Sequence, residues 1–351
     1  MYFASDNWTG AHPRVAASLT KHADGFATAY GASDLDRAIE ARFDELFERE
    51  VAVFFVGTGT AANALAMAAI NRPGGVSFCH REAHVIEDEC GAPEFFTHGA
   101  RLAPVDGLDG KIDPDELQQE IRRFPPDFVH AGQPMAVTIT QSTEIGTVYA
   151  LEEIETISGV CVQHGLPLHM DGSRFANALA CLDVSPAELT WKRGVDILSF
   201  GGTKNGCWCA EALVFFDPEK AKDLPFIRKR AAQLFSKTRF ISAQFQAYFE
   251  DGLWLELARH SNAMASRLAA SIETSEDLAL AWKPQANEVF AILRKSKAQE
   301  LREKGAVFAD WNMPRRHSRG LDDDETLIRL VTSFATTDEH IDRFAQAIGA
   351  V

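Results

Sequence analysis

The chain has 351 residues, 46% hydrophobic and 24% charged, so it can bury a sizeable core and is not intrinsically disordered. Its formal net charge of −15, from 50 acidic and 35 basic residues, argues against a general surface for nucleic acid or anionic membranes. The length predicts two domains, or one large α/β unit with an appendage. Six cysteines without C-x-x-C spacing, and a start "MYFASDNWTG" without signal-peptide character, predict a reduced, cytoplasmic protein with no membrane span.

The middle of the chain alternates short apolar runs with longer amphipathic patterns. Strands are predicted over residues 51–56, 75–79, 135–140, 166–170, 195–200 and 211–216. Helices are predicted over residues 60–71, 113–124 and 151–165. This alternation predicts a parallel or mostly parallel sheet covered by helices on both faces.

After about residue 225 the pattern changes to a smaller α+β domain. A long helical region is predicted first, and its segment "FISAQFQAYFEDGLWL" is a candidate apolar interface between subunits. The predicted elements are then helix 226–272, strand 287–295, helix 296–304, strands 306–312 and 326–335, and a closing helix 338–349, with a polar surface loop at 313–325.

The first predicted strand runs into the sequence GTGT at residues 57–60, and an Ala-rich helix pattern follows directly. A helix N-terminus offers free N–H groups and the positive end of its dipole, which favour a phosphate. The Lys-bearing P-loop is excluded because no G-K-[ST] follows. The dinucleotide pattern G-x-G-x-x-[GA] matches at Gly57, Gly59 and Ala62, but alone it is equally typical of a tight turn without a ligand.

Two charged residues follow predicted core strands. Asp171 stands after "LPLHM", at the strand end where open α/β sheets bind ligands, and Arg174 is a structural alternative as its ion-pair partner. Lys204 follows "VDILSFGGT"; it either extends into solvent or, near an anion pocket, forms a Schiff base. Pyridoxal phosphate requires such a lysine, a carboxylate on its pyridinium nitrogen and a phosphate site, and Gly59-Thr60, Asp171 and Lys204 supply this set.

His84 lies in "CHREAHVIEDEC". His80, His84 and Glu87 have helix-like spacing, but the H-E-x-x-H order is absent, and no metal site is predicted. His84 is instead a candidate to stack on the cofactor ring and to handle a proton, with a plain surface histidine as the alternative.

Arg329 interrupts the apolar run "TLIRLVTSFA". An arginine on an apolar strand is costly unless it contacts an anion, and its planar fork suits a substrate carboxylate. An ion pair between domains is the alternative, and the sequence does not decide between the two.

On these motifs the chain resembles the threonine aldolase branch of the pyridoxal-phosphate enzymes with the aspartate aminotransferase-like fold (fold type I). The resemblance runs nearly end to end, through "FASDNWTGAHP", "TGTAAN", "EAHVIEDECGAPEFF", "TQSTEIGTVY", "HMDGSRFANA", "DILSFGGTKNG" and "IRLVTSF". It is closest to the bacterial low-specificity threonine aldolase and phenylserine aldolase type. It implies a mostly parallel seven-stranded sheet in a large domain, residues 15–250, a smaller domain, 251–351, and an active-site contribution from residues 1–14.

The resemblance also implies roles for individual residues. Lys204 matches the Schiff-base lysine, Asp171 the aspartate on the pyridinium nitrogen, and His84 the histidine that stacks on the ring. The cofactor contacts would further include Gly59, Thr60, Arg174, Thr203 and Arg239, the last of which sometimes reaches the phosphate from a neighbouring subunit. The substrate carboxylate would be held by Ser5, Arg174 and Arg329.

Three departures from the family pattern stand out. Many members carry a second active-site histidine in an E-N-T-H turn, where this chain has "QSTEIG" and therefore Glu144. This change bears on the identity of the base and on specificity near the substrate hydroxyl. The replacements of Y-G-D-D by "YGAS" and of D-G-A-R by "DGSR" are minor.

The resemblance implies retro-aldol cleavage of an L-β-hydroxy-α-amino acid to glycine and an aldehyde, with His84 as base and Glu144 as an alternative. It also implies a homo-oligomer, a dimer or tetramer. β-Elimination and transamination are the rivals within the fold, since fold resemblance does not fix the reaction. A nicotinamide dehydrogenase would leave Lys204 and Asp171 without a joint role, and a non-catalytic scaffold would be expected to have lost one of them.

Overall fold

Two β-sheets organise the chain. The computed structural model describes residues 1–317 and 319–350. The strands are β1 (Ala52–Val56), β2 (Gly75–His80), β3 (Arg101–Val105), β4 (Gln133–Thr140), β5 (Leu168–Gly172), β6 (Ile197–Gly201), β7 (Glu211–Phe215), β8 (Leu278–Leu280), β9 (Glu288–Arg294), β10 (Ala309–Trp311) and β11 (Glu325–Val331). The helices are α1 (Pro13–Lys21), α2 (Asp34–Phe47), α3 (Gly59–Ala69), α4 (His84–Glu87), α5 (Ala92–Phe96), α6 (Pro114–Arg122), α7 (Leu151–His164), α8 (Phe175–Leu182), α9 (Pro186–Leu189), α10 (Leu224–Arg230), α11 (Arg239–Phe249), α12 (Leu253–Glu273), α13 (Lys295–Glu303) and α14 (Asp338–Ala347).

The large sheet has seven strands in the order β1-β7-β6-β5-β4-β2-β3. All neighbouring pairs are parallel except those of β7, which runs antiparallel to β1 and β6. The predicted fold, a mostly parallel seven-stranded sheet, is confirmed. The apolar runs predicted six of its strands and missed β3, an edge strand that contains Pro104. Proline is tolerated at an edge because its missing N–H costs no ladder hydrogen bond there.

An aromatic cluster fills the space between this sheet and the helices α2 and α11. The Phe43 ring lies 5.3 Å from that of Phe200, 5.6 Å from that of Phe245 and 5.3 Å from that of Phe249, all edge to face. These four side chains are buried. The apolar side chains of α11 are used in the chain's own core, and a subunit interface formed by "FISAQFQAYFEDGLWL" stays a prediction.

The small sheet is antiparallel, in the order β10-β11-β9-β8. With α13 and α14 it has the predicted α+β composition, preceded by the short strand β8 that the sequence did not predict. The N-terminus joins this unit: the Phe3 N–H donates to the Val307 carbonyl over 2.8 Å, and the Val331 N–H donates to the Phe3 carbonyl over 2.7 Å. The Phe3 side chain lies in the small unit's core, so the 3₁₀ turn Asp6–Trp8 starts from a fixed point.

The predicted helical region 226–272 is divided into α10, α11 and α12. The breaks coincide with left-handed backbone at Ala232 (φ 58°) and at Asp251 and Gly252 (φ 54° and 71°). Beyond the second break, α12 carries side chains in both hydrophobic cores, Trp254 in the large one and Leu268 in the small one.

A domain boundary at residues 250/251 stays a prediction. Ser318, in the predicted surface loop, and Val351, the last residue of the predicted small domain, lie outside the described residues. Within residues 1–317 and 319–350, no helix has both the length and the apolar character needed to cross a membrane.

Candidate active site

The sheet topology brings the predicted motifs together at one edge. β1, β5 and β6 point in the same direction, so the residues after their carboxyl ends meet there. A cavity of about 370 Å³ opens at this edge. It is lined by Asn7, Gly57, Thr58, Gly59, Thr60, His84, Glu89, Ser173, Thr203, Lys204, Trp208, Cys209 and Glu211.

The N-terminus of α3 forms one end of the cavity. Thr58 caps the helix: its hydroxyl accepts from the Ala61 N–H over 3.1 Å and its carbonyl from the Ala62 N–H over 3.1 Å. In the described part of the chain, the N–H groups of Gly59 and Thr60 have no such partner, as is usual for the first turn of a helix. These free donors at a positive dipole end suit a phosphate.

Asp171 lies at the opposite side, at the end of β5, and is 1% exposed. Its Oδ1 accepts from the N–H and the hydroxyl of Ser173 over 3.0 and 2.8 Å, and its Oδ2 accepts from the Asn63 amide over 2.8 Å. Burial alone would raise the pKa of Asp171, but the nearby charges of His84 and Lys204 and the Ser173 hydrogen bonds outweigh it and lower the pKa. Asp171 is thus a buried carboxylate that stays ionised.

His84, at the start of α4, contacts two carboxylates in different ways. Its backbone N–H donates to Glu144 Oε1 over 2.7 Å, whereas its ring Nδ1 lies 3.0 Å from Glu89 Oε1. The Glu89 hydrogen bond is the main cause of the raised pKa of His84. His80 of the metal alternative hydrogen-bonds instead to Gly107 and Glu82, and among the described residues no cluster of three or more His, Cys, Asp or Glu side chains is arranged to hold a metal.

Glu144 follows β4 and borders a second cavity of about 380 Å³. Burial raises its pKa to about 7. Its Oε1 accepts from His84, while its buried Oε2 has no hydrogen-bond partner among the residues described. The same cavity is bordered by Asp88, Trp311 and Met313. Glu144 therefore contacts the backbone of His84 through one oxygen, and its other oxygen has no partner among the described residues. Its carboxyl group gains or loses a proton near neutral pH.

A cluster of two arginines and two carboxylates lies between the two cores. Arg174 donates through Nε and Nη2 to both oxygens of Asp6, over 2.8 and 3.1 Å, and its Nη1 is 3.2 Å from Glu288 Oε2. Glu288 Oε1 is 3.6 Å from Nη1 of Arg329, whose guanidinium lies 4.2 Å from the centre of the Trp311 ring. The alternative that Arg174 pairs with Asp171 is not what the structure shows.

The remaining predicted residues are placed as follows. Ser5 caps the turn that carries Asp6, with its hydroxyl accepting from the Asn7 N–H over 3.1 Å. Thr203 lines the Lys204 cavity and accepts from the Ala210 N–H over 3.2 Å. Arg239 lies apart: it donates to the Gly25 carbonyl over 3.1 Å and lines a different cavity.

Sequence reasoning missed several polar residues at the site. Asn63 and Glu89 stand inside motifs that carry the resemblance, "TGTAAN" and "EAHVIEDEC", so a signal was present in the sequence. Glu211 is buried in the cavity wall at the start of β7, and burial raises its pKa to about 7. Asp6 likewise stands in the motif "FASDNWTGAHP", whereas Asn287 and Glu288 gave no sequence signal, because their importance depends on contacts across the fold.

Pyridoxal phosphate fits this donor set. Lys204 offers an amine in the cavity, the buried Asp171 an ionised carboxylate, and Gly59 and Thr60 free N–H donors for a phosphate. These are the chemical functions that the cofactor requires.

Comparisons with known proteins identify the family of the chain. The family model of the beta-eliminating lyases matches residues 2–296. The low-specificity L-threonine aldolases of Pseudomonas sp. and Pseudomonas aeruginosa are each 42% identical over 87% of this chain and 88% of their own length. A solved structure of Leishmania major threonine aldolase superposes with a TM-score of 0.91 and 28% identity over 99% of this chain and 98% of that one. The chain therefore belongs to the beta-eliminating lyase family, on its threonine aldolase branch, whose cofactor is pyridoxal phosphate.

Proposed function

We propose that this chain is a pyridoxal-phosphate aldolase that cleaves L-β-hydroxy-α-amino acids, such as L-threonine, L-allo-threonine or L-phenylserine, to glycine and an aldehyde. The observation that carries the proposal is the shared cavity of Lys204, His84 and the Gly59-Thr60 helix N-terminus, with Asp171 buried beside it. The curated relatives named as low-specificity L-threonine aldolases support the same reaction class.

The bound cofactor supplies an electron sink for the pair released when the Cα–Cβ bond breaks. Asp171 would keep a proton on the ring nitrogen, because it is buried and remains ionised. Lys204 would provide the amine that attaches the cofactor. Gly59, Thr60 and Thr203 line the same cavity and would hold the phosphate.

The arginine cluster binds and orients the substrate carboxylate. All three nitrogens of Arg174 already contact Asp6 or Glu288, whereas Arg329 is held by Glu288 only at 3.6 Å and its buried Nε has no hydrogen-bond partner in the described chain. We therefore assign the main carboxylate contact to Arg329, with Ser5 beside it and Arg174 in support.

Proton transfer from the β-hydroxyl is assigned to His84. Its ring borders the cavity, and a positioned general base contributes roughly two to four powers of ten to the rate. Glu144 is the competing candidate, since burial raises its pKa to about 7 and one of its oxygens is unpartnered among the described residues. The cavity between Glu144 and Trp311 would receive the substituent on Cβ, and its aromatic wall favours phenylserine over threonine.

We also infer a cytoplasmic homo-oligomer, either a dimer or a tetramer. Trp208 lines the Lys204 cavity yet is 64% exposed, and Phe226 is 75% exposed. A large exposed aromatic side chain at the cavity, Trp208, and a second one on α10, Phe226, favour a protein interface. Arg239, which is remote from its own chain's cavity, would contact the cofactor phosphate of a neighbouring subunit. Light scattering of the purified holoenzyme measures the assembly.

β-Elimination is the second candidate reaction, because the matching family model is that of the beta-eliminating lyases. The deciding experiment is product analysis with L-threonine and L-phenylserine. Glycine and aldehyde in equal amounts would support the aldolase. Ammonia and a 2-oxo acid would support elimination instead, and transfer of the amino group to an added oxo acid would support transamination.

A further inference from the structure

The buried carboxylate of Glu89 contacts the ring of His84 and has no role in the mechanism above. Glu89 is 4% exposed, and its Oε1 accepts from the Asn63 amide over 2.9 Å and lies 3.0 Å from His84 Nδ1. A buried carboxylate requires such donors, because it has lost its hydration. The contact is therefore a defined pairing rather than an accident of a flexible surface.

The pairing determines which ring nitrogen of His84 carries a proton. Glu89 Oε1 already accepts from the Asn63 amide, and a carboxylate oxygen in that role accepts from the ring as well, which places the proton on the His84 nitrogen that faces it. In the neutral ring this leaves Nε2 without a proton and able to accept one. Glu144 does not compete for the ring, because it accepts from the backbone N–H of His84.

Asn63 connects this pair to Asp171. Its single amide nitrogen donates to Glu89 over 2.9 Å and to Asp171 over 2.8 Å, so the two hydrogens of one amide are divided between two buried carboxylates. Glu89 also contacts the histidine ring, and Asp171 also accepts from Ser173 at the end of β5. Asn63 holds them at a fixed separation.

We propose that Glu89 is a positioning residue that keeps His84 protonated on Nδ1 and leaves Nε2 open to the substrate β-hydroxyl, and that Asn63 ties this pair to Asp171. The inference rests on the proposed aldolase function. The β-hydroxyl proton passes to Nε2 and the oxygen becomes the carbonyl of the departing aldehyde as the Cα–Cβ bond breaks. The electron pair of that bond stays on the glycine side, where Cα later takes up a proton. The positive ring is then stabilised by Glu89 until the proton leaves to solvent.

The test compares Glu89→Gln with wild type and with Glu152→Gln, a matched change of an exposed glutamate at the start of α7. NMR titration of the histidine rings in the cofactor-free protein, with His84 assigned through His84→Asn, measures the pairing directly. We expect the pKa of His84 to fall by about one unit or more in Glu89→Gln and to stay unchanged in Glu152→Gln. An unchanged titration in Glu89→Gln would overturn the proposal.

Asn63→Ala is expected to shift the pKa of His84 in the opposite direction to Glu89→Gln. Without the amide donor, Glu89 depends more on the charged ring, so the pKa of His84 should rise, whereas a general loosening of the site would lower it in both variants. In the loaded enzyme, Glu89→Gln should lower kcat at least tenfold with KM within about twofold, as expected for loss of general-base catalysis. A kcat equal to that of wild type would contradict the role.

The aldolase function and the positioning role of Glu89 can be tested separately. If wild type released no aldehyde, the proposed function would fall, yet the titration would still decide whether Glu89 sets the state of His84. If aldehyde is released but the titration and kcat are unaltered, only the role of Glu89 falls.

Discussion

Glu288 lies between Arg174 and Arg329, with one carboxylate oxygen 3.2 Å from the first guanidinium and the other 3.6 Å from the second. The Asp6 carboxylate completes the cluster on the far side of Arg174. Two buried carboxylates are thus grouped with two partly buried arginines, and a substrate carboxylate has to enter a cluster that is already balanced. The weakly held Arg329 is the member that is free to respond.

Replacement of Arg329 by leucine should therefore weaken substrate binding. Loss of a charged hydrogen-bond partner costs about 1.5–3 kcal/mol, so KM should rise roughly 10–100-fold, with a smaller effect on the visible spectrum of the bound cofactor. Steady-state kinetics of aldehyde release measure the change. Arg294→Leu, at an exposed arginine on β9, is the control, and equal KM values for the two variants would contradict the assignment.

Lys204→Ala should abolish turnover, because the chain loses the amine that attaches the cofactor. We expect loss of the visible absorption band of the bound cofactor and a fall in aldehyde release of roughly three powers of ten or more. Absorption spectra before and after dialysis, together with the aldehyde assay, test this. Lys304→Ala, an exposed lysine of the small unit, should resemble wild type; a Lys204→Ala protein with normal turnover would refute the site.

Glu211 should make stability depend on pH. Burial raises its pKa in the folded chain to about 7, above the usual value of 4.5. Below pH 4.5 both the folded and the unfolded states hold the proton, so the full stability is present. Between about pH 4.5 and 7 only the folded state holds it, and folding stability is lost as the pH rises, by up to about 3 kcal/mol.

Glu211→Gln should abolish the loss of folding stability with rising pH, because glutamine does not titrate. The cofactor-free variant should melt higher than wild type at pH 8, and the difference should vanish towards pH 4.5. Thermal unfolding at a series of pH values measures it, with Glu152→Gln as the exposed control. A difference that is the same at every pH would exclude titration of Glu211 as its cause.

Phe43→Ala should destabilise the large core. The ring is fully buried among other aromatic rings, including Phe200 and Phe245, so its removal leaves a cavity that α2 and the sheet cannot close. The cost of such a truncation is about 3–5 kcal/mol. Denaturant unfolding should show this loss, whereas Phe128→Ala, at a ring that is 54% exposed, should cost far less.

The sequence predicted the strands that carry the site and the charged residues at their ends, because these depend on local pattern. Apolar runs predict buried strands, and the charged residues that end two of them, Asp171 and Lys204, must lie at the ligand-binding edge of a parallel sheet. The strands β3 and β8 were not predicted because an arginine and a proline interrupt the apolar pattern of the first, RLAPV, and the second has only three residues. The breaks within 226–272 depend on left-handed residues, which an apolar helix pattern does not reveal.

Arg174 and Arg329 were predicted to hold the substrate carboxylate, but the side chains that they contact were beyond sequence reasoning for a different reason. Asp6 and Asn287 are 281 positions apart in sequence and form a hydrogen bond of 3.0 Å only after both sheets are in place. Asn63 and Glu89 were visible in recognised motifs, but a polar residue in a helix pattern does not show which neighbour it faces. Their pairing became evident only from the distances between their side chains.

The anchoring of the N-terminal strand has a consequence for access to the site. Phe3 is hydrogen-bonded to Val307 and Val331, so Asp6 travels with the small unit, as does Glu288 on β9, whereas Arg174 belongs to the large one. Any hinge motion that separates the two units would remove both carboxylates from Arg174 in one step. The open enzyme would then present an uncompensated cation to an arriving amino acid, and closure would neutralise it again. Substrate association should accordingly slow as ionic strength rises, measurable by stopped-flow mixing, while the rate of the chemical step stays the same.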